Sequence, residues 1–274
     1  MMCRLLGVTR AGFYAWQDRR PSKRIVEDQQ LEALIRQAFE RSRRTYGRPR
    51  ITAELRELKL QVGQRRVGRL MRRAGLWARP RRRFVCTTDS EHSHRHAPNV
   101  LQRRFTADAP NKIWAGDITY LPTRQGWLYR AVVIDLFSRK VVGWRTRAAL
   151  DPVLTVDAMK MALEMRRPSS GLLHHSDRGV QYACDEYQAL LSKHRVQPSM
   201  SRKGNCWDNA VVESFFSTLK TELVRDQVFV DRAQAQIRVF DYIEAFYNRR
   251  RRHSSLAFRS PDEYERARNL STRP

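Results

Sequence analysis

The sequence predicts an α/β protein, a mixed sheet with flanking helices, preceded by an all-α region. Three observations predict it. The first hundred residues show helical periodicity, three strand-like runs then follow one another after Pro110, and helical and strand-like segments alternate beyond them. With 274 residues, 41% of them hydrophobic, and six tryptophans, the chain can bury a core in about two domains.

The elements read in order. "CRLLGVTRAGFYAW" is a short helix, a Gly-Val-Thr turn and a second helix with Thr9 as N-cap, the outline of a partial helix-turn-helix over residues 1–28. The helix that should precede it is short, or is supplied by another polypeptide. Residues 29–85 form a helix-turn-helix domain. Leu31, Leu34, Ile35, Ala38 and Phe39 mark its first helix, and Gly47 and Pro49 in "TYGRPR" break that helix. "ITAELRELK" is its second, and "RRVGRLMRRAGL" its third. On the third, Val67, Leu70 and Met71 face inward, while Arg65, Arg66, Arg69, Arg72 and Arg73 project outward.

Residues 86–107 show no period and read as a linker. Cys86 with His92, His94 and His96 fits no common structural zinc spacing, which favours a solvated segment. In the core, residues 108–225, "NKIWAGDITYLP", "GWLYRAVVIDLF" and "KVVGWRTRA" are strands. "LTVDAMKMALEMRR" and "CDEYQALLSKH" are helices, and "GLLHHSD" and "QPSMS" are two further strands. Residues 226–274 form a helical, basic extension.

The net charge is +25, and it is uneven. Residues 1–107 hold 26 basic and 9 acidic side chains, against 27 and 19 in the remainder. A nucleic-acid partner accounts for such an excess, because each neutralised phosphate releases a counterion. The five arginines of the third helix suit a groove-entering recognition helix. The four cysteines form no C-x-x-C pair, as expected of reduced thiols in a cytoplasmic protein. No run approaches the roughly 18 apolar residues of a membrane span.

Three acids stand out by position. Asp117 lies inside the first core strand, where an isolated carboxylate is costly without a cation or strong donors. Asp177 ends the "GLLHHS" strand, at the sheet edge where layered α/β folds place their sites. Glu213 belongs to "GNCWDNAVVESFFSTLK", whose Val211, Val212, Phe215, Phe216 and Leu219 fill an apolar arc of about 140°. Glu213 and Lys220 sit together just past that arc. If the helix crosses the strand ends, the three carboxylates converge and need a cation. An all-oxygen set points to Mg²⁺ or Mn²⁺, and two such ions activate a phosphodiester. Lys220 would then hold a neighbouring phosphate. Each acid alone also has an ordinary explanation, as a strand-end hydrogen-bonder, a turn residue or a surface carboxylate.

"WAGDITYLP", "GWLYRAVVIDLFSRKVVGW", "LLHHSDRGVQYAC", "SMSRKGNCWDNAVVESFFSTLKTEL" and "YIEAFYNRRRRHSSLAFRSP" resemble, in this order, the downstream-frame catalytic subunit of the insertion-sequence-three family of transposases. The resemblance spans nearly the whole chain and implies a retroviral-integrase-like, RNase H-like core with a five-stranded mixed sheet. Thirty-five residues separate Asp177 from Glu213, the spacing of that family, so its Asp-Asp-Glu triad falls on Asp117, Asp177 and Glu213 and its following basic residue on Lys220. It implies metal-dependent cleavage at element ends and transfer of the 3′-hydroxyl to target DNA, with two Mg²⁺ (or Mn²⁺) ions. It also implies an upstream-frame subunit, separate or fused, and a homo-oligomer assembled on DNA in the bacterial cytoplasm, associated with the nucleoid. One departure is Leu256-Ala257-Phe258 where members often carry Leu-Gly-Tyr. Three rivals remain from the residues alone: a non-catalytic DNA-binding regulator, a recombinase with a covalent Ser or Tyr nucleophile (Tyr120, Tyr182 or Tyr247), and a metal-dependent nuclease without strand transfer.

Overall fold

A computed structural model describes residues 2–78, 96–203, 205–224 and 228–271. The chain divides into two compact units, Met1–Ala78 and Arg79–Pro274.

In the first unit, α1 (Met2–Leu5) and α2 (Arg10–Gln17) lead into three packed helices. Thr9 caps α2 as expected, its hydroxyl accepting from the Gly12 amide at 3.0 Å. The packed helices are α3 (Lys23–Arg41), α4 (Arg48–Glu57) and α5 (Gln64–Arg73). Pro49 lies in the first turn of α4, where its missing N–H is no loss, so Gly47 and Pro49 start this helix, whereas α3 has already ended at Arg41, before the left-handed Arg43 and Arg44. Leu31, Ile35, Phe39, Ile51, Leu55, Val67, Leu70 and Met71 form the buried core, on the periodicities read from the sequence.

The second unit is built on five strands in the order β3-β2-β1-β4-β5. These are β1 (Ile113–Thr123), β2 (Gly126–Asp135), β3 (Val141–Arg147), β4 (Leu173–Ser176) and β5 (Gln197–Met200). The first three form an antiparallel meander, whereas β4 and β5 join parallel to β1 through helical crossovers. The crossovers are α6 (Pro152–Arg166) between β3 and β4, and α7 (Val180–Ala183) with α8 (Asp185–Lys193) between β4 and β5. Beyond β5 come α9 (Ala210–Leu219), α10 (Arg232–Phe240) and α11 (Pro261–Ser271).

Helices α6–α8 pack on the sheet face that carries Trp114, Ala131 and Val133. The approach is close at Gly143, where a Cβ would collide with the Ala158 carbonyl and lie 2.7 Å from the Ala162 methyl. Opposite faces of a strand alternate, so Ala115, Asp117, Thr119 and Leu121 of β1 point the other way.

Residues 96–107, expected as the end of a linker, have Leu101 fully buried and the Val100 and Leu101 amides bonded to Ser199 Oγ. The lack of periodicity there reflects irregular backbone, not an absence of contacts. Cys86, His92, His94 and the basic run 79–83 lie outside the described residues. The C-terminal extension contributes Phe229, Val239, Tyr242, Ile243, Phe246 and Tyr247 to the core. Of its four consecutive arginines, Arg251 is buried against Glu222 and Arg252 donates to the Phe258 carbonyl at 2.8 Å. Among the described residues, no helix is long and apolar enough to cross a membrane, and Cys3 and Cys184 are free thiols.

The departure at Leu256-Ala257-Phe258 has a structural counterpart. Ala257 adopts φ 52° and Phe258 φ 61°, in the tight loop that returns the chain to α11. A left-handed residue other than glycine costs roughly 1–2 kcal/mol, and glycine loses part of that gain through its freer unfolded chain. Ala257→Gly is therefore expected to stabilise the protein by about 0.5–1 kcal/mol, read as a small rise in thermal midpoint.

Candidate functional site

Strand register brings the first two acids together. Ala115 of β1 pairs with His175 of β4 in parallel. Asp117 stands two residues further along β1, Asp177 two residues beyond His175 and just past the end of β4, and the charge of Asp177 acts on Asp117. The β1–β4 pairing stops at Ala115 and β4 ends at Ser176, so the two carboxylates emerge where the sheet opens into a crevice. Asp117 Oδ1 accepts from the Ile118 amide at 2.7 Å. Asp177 Oδ1 accepts from the Gly179 amide at 3.0 Å, and a Cβ on Gly179 would press on the same oxygen at 3.1 Å.

Below them β4 is dry. His174 meets the Tyr187 hydroxyl at 2.8 Å, and His175 bonds Ser199 and Ser201 at 2.9 and 3.1 Å. Burial pushes the two imidazoles down to about 3 and about 4, so both are neutral near neutral pH. Gly116 allows this packing, since a Cβ there would sit 2.9 Å from His174 Cε1.

Glu213 arrives on α9, which packs across β1. Its apolar stripe is buried as the wheel predicted, at Val212, Phe215, Phe216 and Leu219, which leaves Glu213 half-buried at the margin. The helix begins at Ala210, one residue ahead of the apolar pattern, after a 3₁₀ turn over Cys206–Asn209. It widens into a π-helical turn from Lys220 to Val224. Lys220 thus sits at a change of pitch, with Nζ 4.9 Å from the centroid of the Tyr120 ring.

The electrostatics tie these groups together. The Asp117 carboxyl is pushed well above its ordinary value by burial and by the charge of Asp177. Glu213 adds to the rise, while the Ile118 amide and Lys220 oppose it. Burial also raises Glu213. Among the described residues, no three His, Cys, Asp or Glu side chains stand close enough together to hold a metal ion. The three acids share an electrostatic neighbourhood without forming a closed ligand set. As donors they suit a hard divalent cation, since all are carboxylate oxygens and Asp117 is destabilised by negative charge.

Sequence reasoning missed two residues that position α9. Asp208 is fully buried and accepts from Asn99, Arg103 and the Arg202 guanidinium and amide, at 2.8–3.1 Å. These contacts, led by Arg202, hold its carboxyl far below the usual range. Asn209 donates to the Gly116 carbonyl at 3.2 Å, which pins the start of α9 beside Asp117. Both lie inside the quoted "GNCWDNAVVE" segment, but polar residues ahead of a helix look like ordinary caps until their distant partners are known.

In the first unit the five arginines divide. Arg66 and Arg69 grip the buried Asp28 of α3 at 2.7 and 2.6 Å, Arg66 also reaches Glu27, and Arg73 pairs with Glu32 at 2.8 Å. Arg69 first and then Arg66 lower Asp28 to about 2. Arg65 and Arg72 are exposed and make no ion pair among the described residues. Arg69 and Arg73 remain exposed as expected and Arg66 is half-buried, but all three share their charge with a row of acids that α3 presents.

The sheet order, the crossovers and the crevice define an integrase core, a fold of polynucleotidyl transferases. The family described as "Integrase core domain" matches residues 107–206, a second family of that description matches 194–261, and "HTH-like domain" matches 26–84. A chain of the cryo-EM structure of the simian T-cell lymphotropic virus intasome in complex with PP2A regulatory subunit B56 gamma shares the fold. Its TM-score is 0.50 at 15% identity, over 80% of this chain and 70% of that one.

The sequence is 44% identical to Transposase InsF for insertion sequence IS3A of Escherichia coli, over 96% of this chain and 92% of that protein. It is 42% identical to the Insertion element IS600 uncharacterized 31 kDa protein of Shigella sonnei, over 95% and 96% respectively. The chain belongs to this IS3 family of insertion-sequence transposases, and its function is DNA transposition.

Proposed function

We propose that Asp117, Asp177 and Glu213 are the catalytic carboxylates of a divalent-metal-dependent DNA cleavage and strand-transfer reaction. The observation that supports this most is the approach of Asp177, just past the end of β4, to Asp117 in β1, whose ionised form its charge opposes. The three carboxylates would hold Mg²⁺ or Mn²⁺. When bound, a pair of such ions supplies charge for the attacking and the leaving oxygen of an in-line displacement.

The residues of the chain divide the remaining work. Lys220 neutralises a phosphate beside the scissile one. Arg65 and Arg72 offer exposed charge to the DNA backbone, and Arg66, Arg69 and Arg73 contribute through the field they share with α3. In cleavage, water attacks a phosphorus at the element end, and the broken P–O bond leaves a 3′-hydroxyl on the element. In transfer, that hydroxyl attacks a target phosphodiester, one P–O bond forms and another breaks, and the displaced target strand keeps a 3′-hydroxyl. No side chain joins the DNA. Burial raises the Tyr182 phenol well above its ordinary value, aided by Tyr187, Asp117 and Asp177, which keeps it protonated and poorly suited to attack. An upstream-frame subunit, separate or fused, and further copies of the chain would complete the assembly on DNA in the bacterial cytoplasm, at the nucleoid.

Supplying pre-cleaved element ends with Mg²⁺ tests this reading. Joined product is expected from ends bearing a 3′-hydroxyl and none from 3′-deoxy ends. Nicking without joining would reduce the protein to a nuclease, and a protein–DNA adduct on denaturing gels would indicate a covalent nucleophile instead.

A further inference from the structure

The β1–β2 hairpin ends in an aromatic shelf that the catalytic reading does not use. Tyr120 pairs with Tyr129 and Pro122 with Trp127, so the Tyr120 and Trp127 side chains leave the same side of the sheet. Their ring centroids are 4.8 Å apart, edge to face. The Trp127 ring is poorly explained by packing, since the residue is 50% exposed.

Cations surround it. Lys220 Nζ lies over the Tyr120 ring, Arg124 is exposed at the hairpin turn, and Arg232 donates to the Trp127 carbonyl at 3.3 Å. The shelf is also tied to the carboxylates, because Lys220 acts electrostatically on Asp117. Tyr120 leaves the strand face opposite Asp117, and Lys220, at the open edge of β1, reaches toward both. Trp127 stands level with Pro122, five positions along β1 from Asp117, about 16 Å at about 3.3 Å per residue. That is roughly five base steps at about 3.4 Å per step along one strand.

An exposed indole with cations on the neighbouring residues suits the face of a nucleobase with phosphates on either side. We propose that Trp127, supported by Tyr120, stacks an unpaired base of the DNA strand that runs past Asp117, with Lys220 and Arg124 on the adjoining phosphates. The proposal rests on the strand-transfer reading and deepens it, because it names the residues that set which nucleotide must leave the duplex. A terminal base of the element and a base of the target strand offer the same chemistry.

The test is equilibrium binding of the full chain, in EDTA so that no chemistry proceeds. The ligands are duplexes carrying the ends of the element and, separately, target duplexes. Each nucleotide near the reacting phosphate is replaced in turn by an abasic one, and the series is repeated with Trp127→Ala and Trp127→Phe. One abasic position is expected to weaken binding to the unaltered chain about 5- to 150-fold. Trp127→Ala should lose a similar factor on intact DNA and become indifferent to that position, while Trp127→Phe keeps most of the affinity. Whether the sensitive position falls in the element or the target series identifies the strand on the shelf.

Equal binding by Trp127→Ala and the unaltered chain, or an abasic penalty that persists in Trp127→Ala, would overturn the proposal. Unchanged melting midpoints separate lost stacking from lost folding. If the abasic pattern holds but no metal-dependent cleavage or joining occurs, the catalytic reading fails and the shelf stands. The reverse result removes the shelf alone.

Discussion

Asp117→Asn is expected to lower cleavage and joining by at least about a thousandfold, because several kcal/mol of charge stabilisation are withdrawn at about 1.4 kcal/mol per decade. The substitution keeps the shape and removes the charge. DNA binding by the first unit should persist, since Arg65 and Arg72 are untouched. A second readout is independent of activity. In unmodified protein without divalent ions, the Asp117 charge is opposed by burial and by Asp177. Asparagine removes that opposition, so the thermal midpoint should rise in EDTA. Magnesium at about a hundred times its dissociation constant should add about 2.7 kcal/mol to the unmodified chain and far less to the variant. Strand transfer retained by Asp117→Asn in magnesium would remove Asp117 from the reaction.

The largest expected effect on stability falls on Glu222, inside the π-helical turn that begins at Lys220. Arg251 holds both carboxylate oxygens, at 2.7–3.1 Å, and the Tyr242 hydroxyl donates to one of them at 2.8 Å. The two charged side chains are only 3% and 6% exposed. Glu222→Gln leaves the Arg251 guanidinium buried without its counter-charge, and breaking a buried pair in this way costs about 3–5 kcal/mol. At roughly 2–4 °C per kcal/mol for a unit of this size, the thermal midpoint should fall by about 6–20 °C. Replacing both partners by methionine should recover much of that loss, because two apolar groups need no counter-charge. A midpoint unchanged in Glu222→Gln would show that the pair contributes little. Since the same turn carries Lys220, the single variant should also join DNA poorly at temperatures where it remains folded.

The position of Glu222 shows how far local pattern reaches. Nothing in "KTELV" marks its glutamate as different from a surface residue, and nothing in "NRRRR" marks Arg251 as the arginine that meets it inside the fold. Lys220 and Glu213 were legible because the apolar stripe of α9 fixes which side of the helix they leave. The same logic placed Val67, Leu70 and Met71 inside and the arginines outward, yet it did not show that three of them meet Glu27, Asp28 and Glu32. Periodicity reports the side of a helix that a residue occupies, and it does not report what the neighbouring helix presents.

By itself the sequence determined the all-α first unit, the five strands, the buried faces and the three acids set apart by position. These follow from contacts between residues two to four apart, which repeat with the period of the element and can be read along the chain. Only the tertiary structure decided that β1 and β4 lie side by side and bring Asp117 close to Asp177, that Asp208 and Asn209 anchor α9, and that Tyr120, Trp127 and Lys220 stand together. Those meetings join residues far apart in the chain, and sheet order and register govern them. A shift of one residue in register would turn Asp117 to the opposite face of the sheet.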